Sequence, residues 1–206
     1  TGPHSLLWQT FCRHRSDYLR PISTTTATSW ELAVQKISRQ PKPIIIDSGC
    51  GKGHASAYLS KQFPDHWILA IDQSVYRLKW LLKNTATNII VLPGNCVDYW
   101  RLIAEDTTLD IRKHYVLYPN PWPKKKHLYR RWHGHPVAKT FFAIAPLTII
   151  RSNWLIYLQE AMMCAQWFGH NARIKQLNNI HFGLSHFENK YINSATPIYE
   201  LDVSNI

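Results

Sequence analysis

From Ile44 onward, short apolar runs alternate with amphipathic stretches at a regular spacing. Ile44-Ile45-Ile46 is a β-branched run that ends in Asp47, and His66 to Ile71 is a second run that ends at Asp72. Asn88 to Leu92, His114 to Tyr118 and Leu147 to Arg151 have the same length and character. Five such runs, each bounded by turn-forming residues, predict buried strands. Between them His54 to Phe63, Ser74 to Asn84, Val97 to Ala104, Pro136 to Ala143 and Trp154 to Phe168 predict helices. Val75, Leu78 and Leu82 show the helical spacing in the second of these. Arg173 to Ile180 and Ile198 to Val203 predict two last strands. Strands that alternate with helices imply right-handed crossovers and a largely parallel sheet.

The expected fold class is therefore α/β, with a Rossmann-like, mostly parallel seven-stranded sheet and helices on both faces. In such sheets ligands bind beyond the carboxyl ends of the strands. Asp47, Asp72, Asn95, Asn120 and Asn153 each end a predicted strand or follow one, and so share that edge. The first 40 residues are mixed and polar, with Arg13, Arg15 and Arg20, a Ser/Thr-rich stretch from Ser23 to Ser29, and a short predicted helix from Trp30 to Ile37. Pro41 and Pro43 punctuate the chain there. Residues 1–40 are read as a basic, polar extension and 41–206 as the main domain.

Asp47-Ser48-Gly49-Cys50-Gly51-Lys52-Gly53 joins the first strand to the first helix of that domain. Glycines at 49, 51 and 53 let the backbone turn sharply and approach a ligand without interference from Cβ. Asp72 closes the next strand, at a spacing from which a carboxylate can accept both hydroxyls of a ribose. A GxGxG turn alone suits dinucleotides and S-adenosylmethionine equally. Here the third glycine comes one residue earlier than in GxGxxG, and an acid precedes the turn. That pattern is similar to class I S-adenosylmethionine-dependent methyltransferases. The likeness implies cofactor contacts from Asp47, Gly49, Gly51, Gly53, Asp72 and the adjoining Gln73, with Asn95 and Cys96 beside the adenine.

Composition narrows the partner. The net charge is +11, with hydrophobic residues at 45% and charged residues at 18%, so the chain is globular and favours an anionic partner. Nine Trp and ten Tyr favour nucleic acid within that class, because bases stack on aromatic rings. The four cysteines, Cys12, Cys50, Cys96 and Cys164, form no CxxC pair, so no zinc or other metal site is expected and free thiols of a cytoplasmic protein are. No apolar run has membrane-spanning length, so no membrane partner is expected.

Tyr118-Pro119-Asn120-Pro121-Trp122-Pro123-Lys124-Lys125-Lys126-His127-Leu128-Tyr129-Arg130-Arg131 follows the fourth strand. Three alternate prolines cannot continue a helix or a central strand, so a stiff loop presents an amide, an indole and five Lys/Arg side chains. This stretch resembles the Asp-Pro-Trp-Pro-Lys-Lys-Arg-His signature of tRNA (guanine-N7)-methyltransferases. Ser185-His186-Phe187-Glu188-Asn189-Lys190-Tyr191 with Pro197-Ile198-Tyr199 is similar to that family's Thr-x-x-Glu-x-Lys-Phe and Pro-Ile-Tyr, and Arg151-Ser152-Asn153 to its Lys-Thr-Asp.

The resemblance covers about Ile44 to Tyr199 and implies S-adenosylmethionine as cofactor, tRNA as partner, and methyl transfer to guanine N7, at guanosine 46 of the variable loop. It places Asn120 at the reaction and against the cofactor. Lys124, Asn153, Ser185 and Glu188 would hold the guanosine, and Lys126, His127, Arg130 and Arg131 would meet the RNA backbone. It implies a monomer or homodimer. Asn95, Asn120 and Asn153 stand where many members have Asp. A methyltransferase for another RNA site or another substrate, and a non-catalytic RNA-binding relative, remain open as alternatives.

Overall fold

Ile44, Ile45 and Ile46 are wholly buried because their strand lies inside a seven-stranded sheet covered on both faces. The computed structural model describes residues 2–83, 86–178 and 183–205. In chain order the elements are α1 (Leu7–His14), α2 (Thr24–Arg39), β1 (Ile44–Ser48), α3 (His54–Gln62), β2 (Trp67–Asp72), α4 (Val75–Lys83) and β3 (Ile89–Pro93). Then come α5 (Cys96–Glu105), β4 (Ile111–Leu117), α6 (Ala138–Ala143), β5 (Leu147–Ser152), α7 (Leu155–Trp167), β6 (Asn171–Leu177), α8 (His186–Asn193) and β7 (Ile198–Ser204). Two short 3-10 helices, Lys125–Arg130 and Trp132–Gly134, lie between β4 and α6. The expected helix end at Asn84 and strand end at Ile180 lie outside the described residues.

The strand order is β3-β2-β1-β4-β5-β7-β6. β1 pairs in parallel with β2 and β4, while β7 runs antiparallel to both β5 and β6. The chain leaves β1 toward one edge through β2 and β3, then returns to β4 on the other side. That reversal opens a crevice at the carboxyl ends of β1 and β4, where such sheets bind ligands. Alternation along β1 feeds both layers: Ile44 and Ile46 join one buried cluster, and Ile45 joins the other with Leu59 of α3 and Leu81 of α4.

The first 40 residues do more than extend the domain. Leu7 and Phe11 of α1 and Trp30, Ala33 and Ile37 of α2 are buried, all but Phe11 in the larger cluster with Trp100, Phe141 and Tyr157. Leu7 and Phe11 are one helical turn apart, a pair too short to reveal α1 by periodicity. α8 was also not foreseen as a helix; it starts at Ser185, whose Oγ accepts from the Glu188 amide at 3.2 Å. No helix among the described residues is long and apolar enough to cross a membrane.

Candidate active site

A cleft of about 760 Å³ lies beyond the carboxyl ends of β1, β2, β3, β4 and β5. Its wall is made by Ser48 and Gly49, Asp72 and Gln73, Asn95 and Cys96, the run Tyr118–Trp122, and Asn153. Five strand ends thus converge, and of the five strand-end residues expected there Asp72, Asn95, Asn120 and Asn153 reach the wall while Asp47 does not.

The glycine turn owes its shape to left-handed backbone. Gly49, Gly51 and Gly53 have φ of 73°, 59° and 81°. The Gly49 and Cys50 amides donate to the Ile71 carbonyl at 2.8 and 3.0 Å, which fastens the turn to β2. A Cβ at Gly49 or Gly51 would point into open space, whereas one at Gly53 would meet Leu81 at 2.7 Å. The first two glycines therefore leave room beside the cleft, and the third lets the turn pack onto α4. Asp72 is buried yet lines the cleft. Its Oδ2 accepts from the Gly51 amide at 3.0 Å and its Oδ1 from the Ser74 amide at 2.8 Å. Arg77 Nη1 stands 3.5 Å from Oδ2. Oδ1 keeps a second lone pair for a ligand hydroxyl, while Arg77 and the Gly51 amide share Oδ2.

Three of the expected cofactor residues sit differently from the expectation. Asp47 lies beneath the cleft, where Ser56 Oγ donates to it at 2.5 Å. Burial lifts its carboxyl to about 6, the Asp72 charge adds to this, and the Ser56 hydrogen bond opposes it. Gly51 and Gly53 shape the turn without forming the wall. Asn95 caps α5: its Oδ1 accepts from the Val97 amide at 3.0 Å, so the amide NH₂ is the group left to meet a ligand. Burial pushes the Cys96 thiol up to about 12, so it lines the cleft as a neutral group.

The proline-rich run is strained as well as stiff. Tyr118 and Trp122 have φ of 53° and 45°, values that aromatic residues seldom adopt. Asn120 Oδ1 accepts from the Trp122 amide at 3.2 Å. Arg131 donates to the Trp122 carbonyl from Nε and Nη2 at 3.3 and 3.1 Å. Here the expectation for Arg131 is corrected. It is 3% exposed and its Nη1 pairs with Glu160 of α7, so it holds the loop from below and does not meet solvent or phosphate.

Glu160 also accepts from His133 Nε2 at 3.0 Å and from the His4 amide at 2.8 Å. Burial alone would raise the Glu160 carboxyl, but His133 and Arg131 hold it down to about 2. Burial pushes the His133 imidazole down, while its hydrogen bond to Glu160 and the Glu160 charge oppose this.

Arg130 takes the outward position, its guanidinium 4.8 Å from the Trp122 ring centroid, and lines the cleft. His127 meets the same indole edge-on at 5.4 Å. Lys124 and Lys126 are exposed beside the cleft and off its wall.

Glu188 and Ser185 are also corrected. Glu188 is wholly buried and takes hydrogen bonds from Arg151 Nη1 at 2.9 Å, from the Tyr118 hydroxyl at 3.2 Å and from the Leu184 amide. It supports Tyr118, the first residue of the loop, from behind. Ser185 lines a separate cleft of about 250 Å³ with His54, Lys61 and Asn189.

Ser48, Arg77, Tyr129, Trp132, His135 and Tyr191 also line the main cleft and are not among the residues expected from sequence. Tyr129 and Tyr191 stand inside the motifs that were read; nothing local distinguishes His135. Its Nδ1 accepts from the Val137 amide at 3.1 Å, and burial, with His14 and Arg20 adding, brings its imidazole down to about 4. It is thus a neutral ring whose Nε2–H is a donor.

Residues 41–201 match the model of a family described as "Putative methyltransferase". A tRNA (guanine-N(7)-)-methyltransferase of Mycobacterium avium (strain 104) is 36% identical over 97 residues, 44% of this chain and 36% of that protein. One of Neisseria gonorrhoeae (strain NCCP11945) is 34% identical over 109 residues, 51% of this chain and 44% of that protein. The chain thus matches less than half the length of these relatives. Among solved structures, the 16S rRNA methyltransferase KamB aligns over 92% of this chain and 97% of its own, with a TM-score of 0.61 and 14% identity. An antibiotic-related methyltransferase aligns over 91% and 96%, with a TM-score of 0.57 and 16% identity. These two likenesses are of fold.

Proposed function

Because this chain belongs to the methyltransferase family whose model spans its residues 41–201, we propose that it uses S-adenosylmethionine to methylate N7 of guanine in tRNA, at guanosine 46 of the variable loop. The observation that carries this reading is the single cleft that joins the Gly49–Asp72 cradle to the Tyr118–Trp122 loop. The cradle fits the cofactor on its own terms. It offers a glycine backbone open at Gly49 and Gly51, the Asp72 carboxylate with its Oδ1 able to accept from a ribose hydroxyl, and the Asn95 amide for a ring nitrogen.

When bound, the cofactor supplies an electrophilic methyl group on a positively charged sulfur. Guanine N7 carries an in-plane lone pair and no proton, so none of the chain's residues has to act as a base. Their work is positional, and rate comes from alignment and from a site matched to the moving charge. Asn120 faces the reaction with its Oδ1 tied to the Trp122 amide, which holds the amide plane. Tyr118, Trp122 and Tyr191 offer ring faces against which a base can lie and water is excluded. The Tyr118 and Tyr191 ring centroids are 5.3 Å apart, so a base lies beside this pair and not between the two rings. Arg130 at the rim, with exposed Lys124 and Lys126 beyond it, supplies charge for phosphates. The relatives' names, tRNA (guanine-N(7)-)-methyltransferase, support the choice of substrate.

The test is transfer of a labelled methyl group from S-adenosylmethionine to tRNA, followed by nucleoside analysis. Recovery of 7-methylguanosine is expected. A different methylated base would move the reading to another RNA site. Cofactor binding without transfer to any RNA would move the reading to a methyltransferase of another substrate, and no cofactor binding would leave a non-catalytic relative.

A further inference from the structure

We infer that α4 is a second RNA-contact surface, which extends the cleft and grips substrate nucleotides outside the methylated one; this rests on the proposed function. Leu78 and Leu81 are the residues by which α4 enters the core, and both are wholly buried. The rest of the helix faces outward and is unlike an ordinary solvated face. Tyr76 is 78% exposed and Trp80 43%, alongside exposed Val75 and Leu82. Interleaved with them are Arg77, Lys79 and Lys83, three positive charges with no acid anywhere in the helix. Lys79 Nζ lies 5.6 Å from the Tyr76 ring centroid, and the His54 ring lies 5.3 Å from that of Trp80. Exposed Lys52 stands on the adjoining glycine turn.

Large exposed aromatic surface on a helix marks an interaction site. The choice of occupant follows from its charge. A cationic face without acids repels a second copy of itself and attracts a polyanion. Aromatic rings between the cations add stacking platforms for bases, the combination that holds unpaired nucleotides. Arg77 joins the two surfaces, since it belongs to α4, lines the cleft and reaches Asp72 at 3.5 Å. A chain of nucleotides whose guanine enters the cleft would meet α4 on leaving it over this rim.

The experiment compares the wild-type protein with Lys79→Ala/Lys83→Ala and with Tyr76→Ala, using an unmodified tRNA transcript as probe. These side chains are exposed, so the fold is expected to persist, and an unchanged calorimetric affinity for S-adenosylmethionine confirms that it does. The lysine pair should lower the slope of log K against log salt by about 1.5, the loss of two phosphate contacts. Tyr76→Ala should weaken tRNA binding by roughly 10-fold with the salt slope unchanged, the mark of lost stacking. If the wild-type protein binds and methylates tRNA and neither variant alters affinity or slope, the inference is overturned. It is also overturned if the variants convert a dimer to a monomer without affecting RNA. If the wild-type protein neither binds nor methylates tRNA, the proposed function fails first.

Discussion

The guanidinium of Arg131 spans from Glu160 to the Trp122 carbonyl, so a buried ion pair in the body of the fold sets the backbone of the loop that lines the cleft. The two Trp122 contacts, at 3.3 and 3.1 Å, stabilise a residue whose φ of 45° is costly by itself. Glu160 carries the link onward to His133 and to the His4 amide, so the N-terminal segment is tied to the same anchor. The motif that identifies the site is therefore held in place by residues outside the site.

Glu160→Gln is expected to destabilise the protein by about 3–5 kcal/mol, because it leaves the buried Arg131 charge without its partner. Urea unfolding measures this. Arg131→Lys should recover little, since an ammonium cannot reproduce the planar fork that serves Glu160 and Trp122 together. Retention of wild-type stability in either variant would mean that the pair is not the anchor of the loop.

The glycine turn separates binding from stability. Gly53→Ala puts a Cβ 2.7 Å from Leu81 on left-handed backbone and should cost about 2–3 kcal/mol in folding. Gly49→Ala meets nothing, so only the backbone penalty of about 1–2 kcal/mol applies. The new methyl would nevertheless occupy the cradle, and the affinity for S-adenosylmethionine should fall at least 10-fold. Thermal melts and calorimetric titration of the two variants check the contrast.

Two buried groups pull the acid stability in opposite directions. Burial holds His114 down at about 3 from 6.5, so stability present above pH 6.5 is lost as the pH falls toward 3. Burial lifts Asp47 from 3.8 to about 6, so stability present below pH 3.8 is lost as the pH rises through 6. Between pH 6 and 4 each contributes a slope of about 1.4 kcal/mol per pH unit, with opposite sign. Asp47→Asn should make acid destabilisation steeper by that amount, and His114→Gln should make it shallower. Unfolding free energies at pH 4, 5 and 6 decide it; equal slopes in both variants would show that neither group titrates as its burial requires.

Asn120→Asp keeps the acceptor that holds the Trp122 amide and adds a negative charge beside the cleft. A carboxylate near a cationic sulfur should raise kcat/KM for tRNA methylation by about 10-fold, with folding unchanged. A fall in rate would show instead that the amide is matched to the substrate this chain uses.

Much of the fold was legible because its signals are local. Three consecutive isoleucines followed by an acid and spaced glycines can hardly be other than a buried parallel strand and its turn, and all five parallel strands lie where the apolar runs are. The strand-end residues Asp72, Asn120 and Asn153 reached one cleft because topology requires it of such a sheet. α1 and α8 carry no such signal: α1 buries only Leu7 and Phe11, and α8 begins at a Ser185 cap inside a polar stretch.

Sequence alone determined the fold class, the glycine turn and the loop that carries the resemblance, because these depend on residue type at fixed short spacing. Only the tertiary structure decided which members of the motifs face the cleft. Arg130 and Arg131 are adjacent and chemically alike, yet one stacks outward on Trp122 and the other is buried against Glu160. Asp47 and Glu188 carry the charge expected of ligand-binding groups, but Ser56 and Arg151 claim them as supports beneath the wall. A charge in a motif becomes contact or scaffold according to what the packed chain brings against it, and those partners, Glu160 29 residues from Arg131 and Arg151 37 from Glu188, are too distant in sequence to be read from the motif.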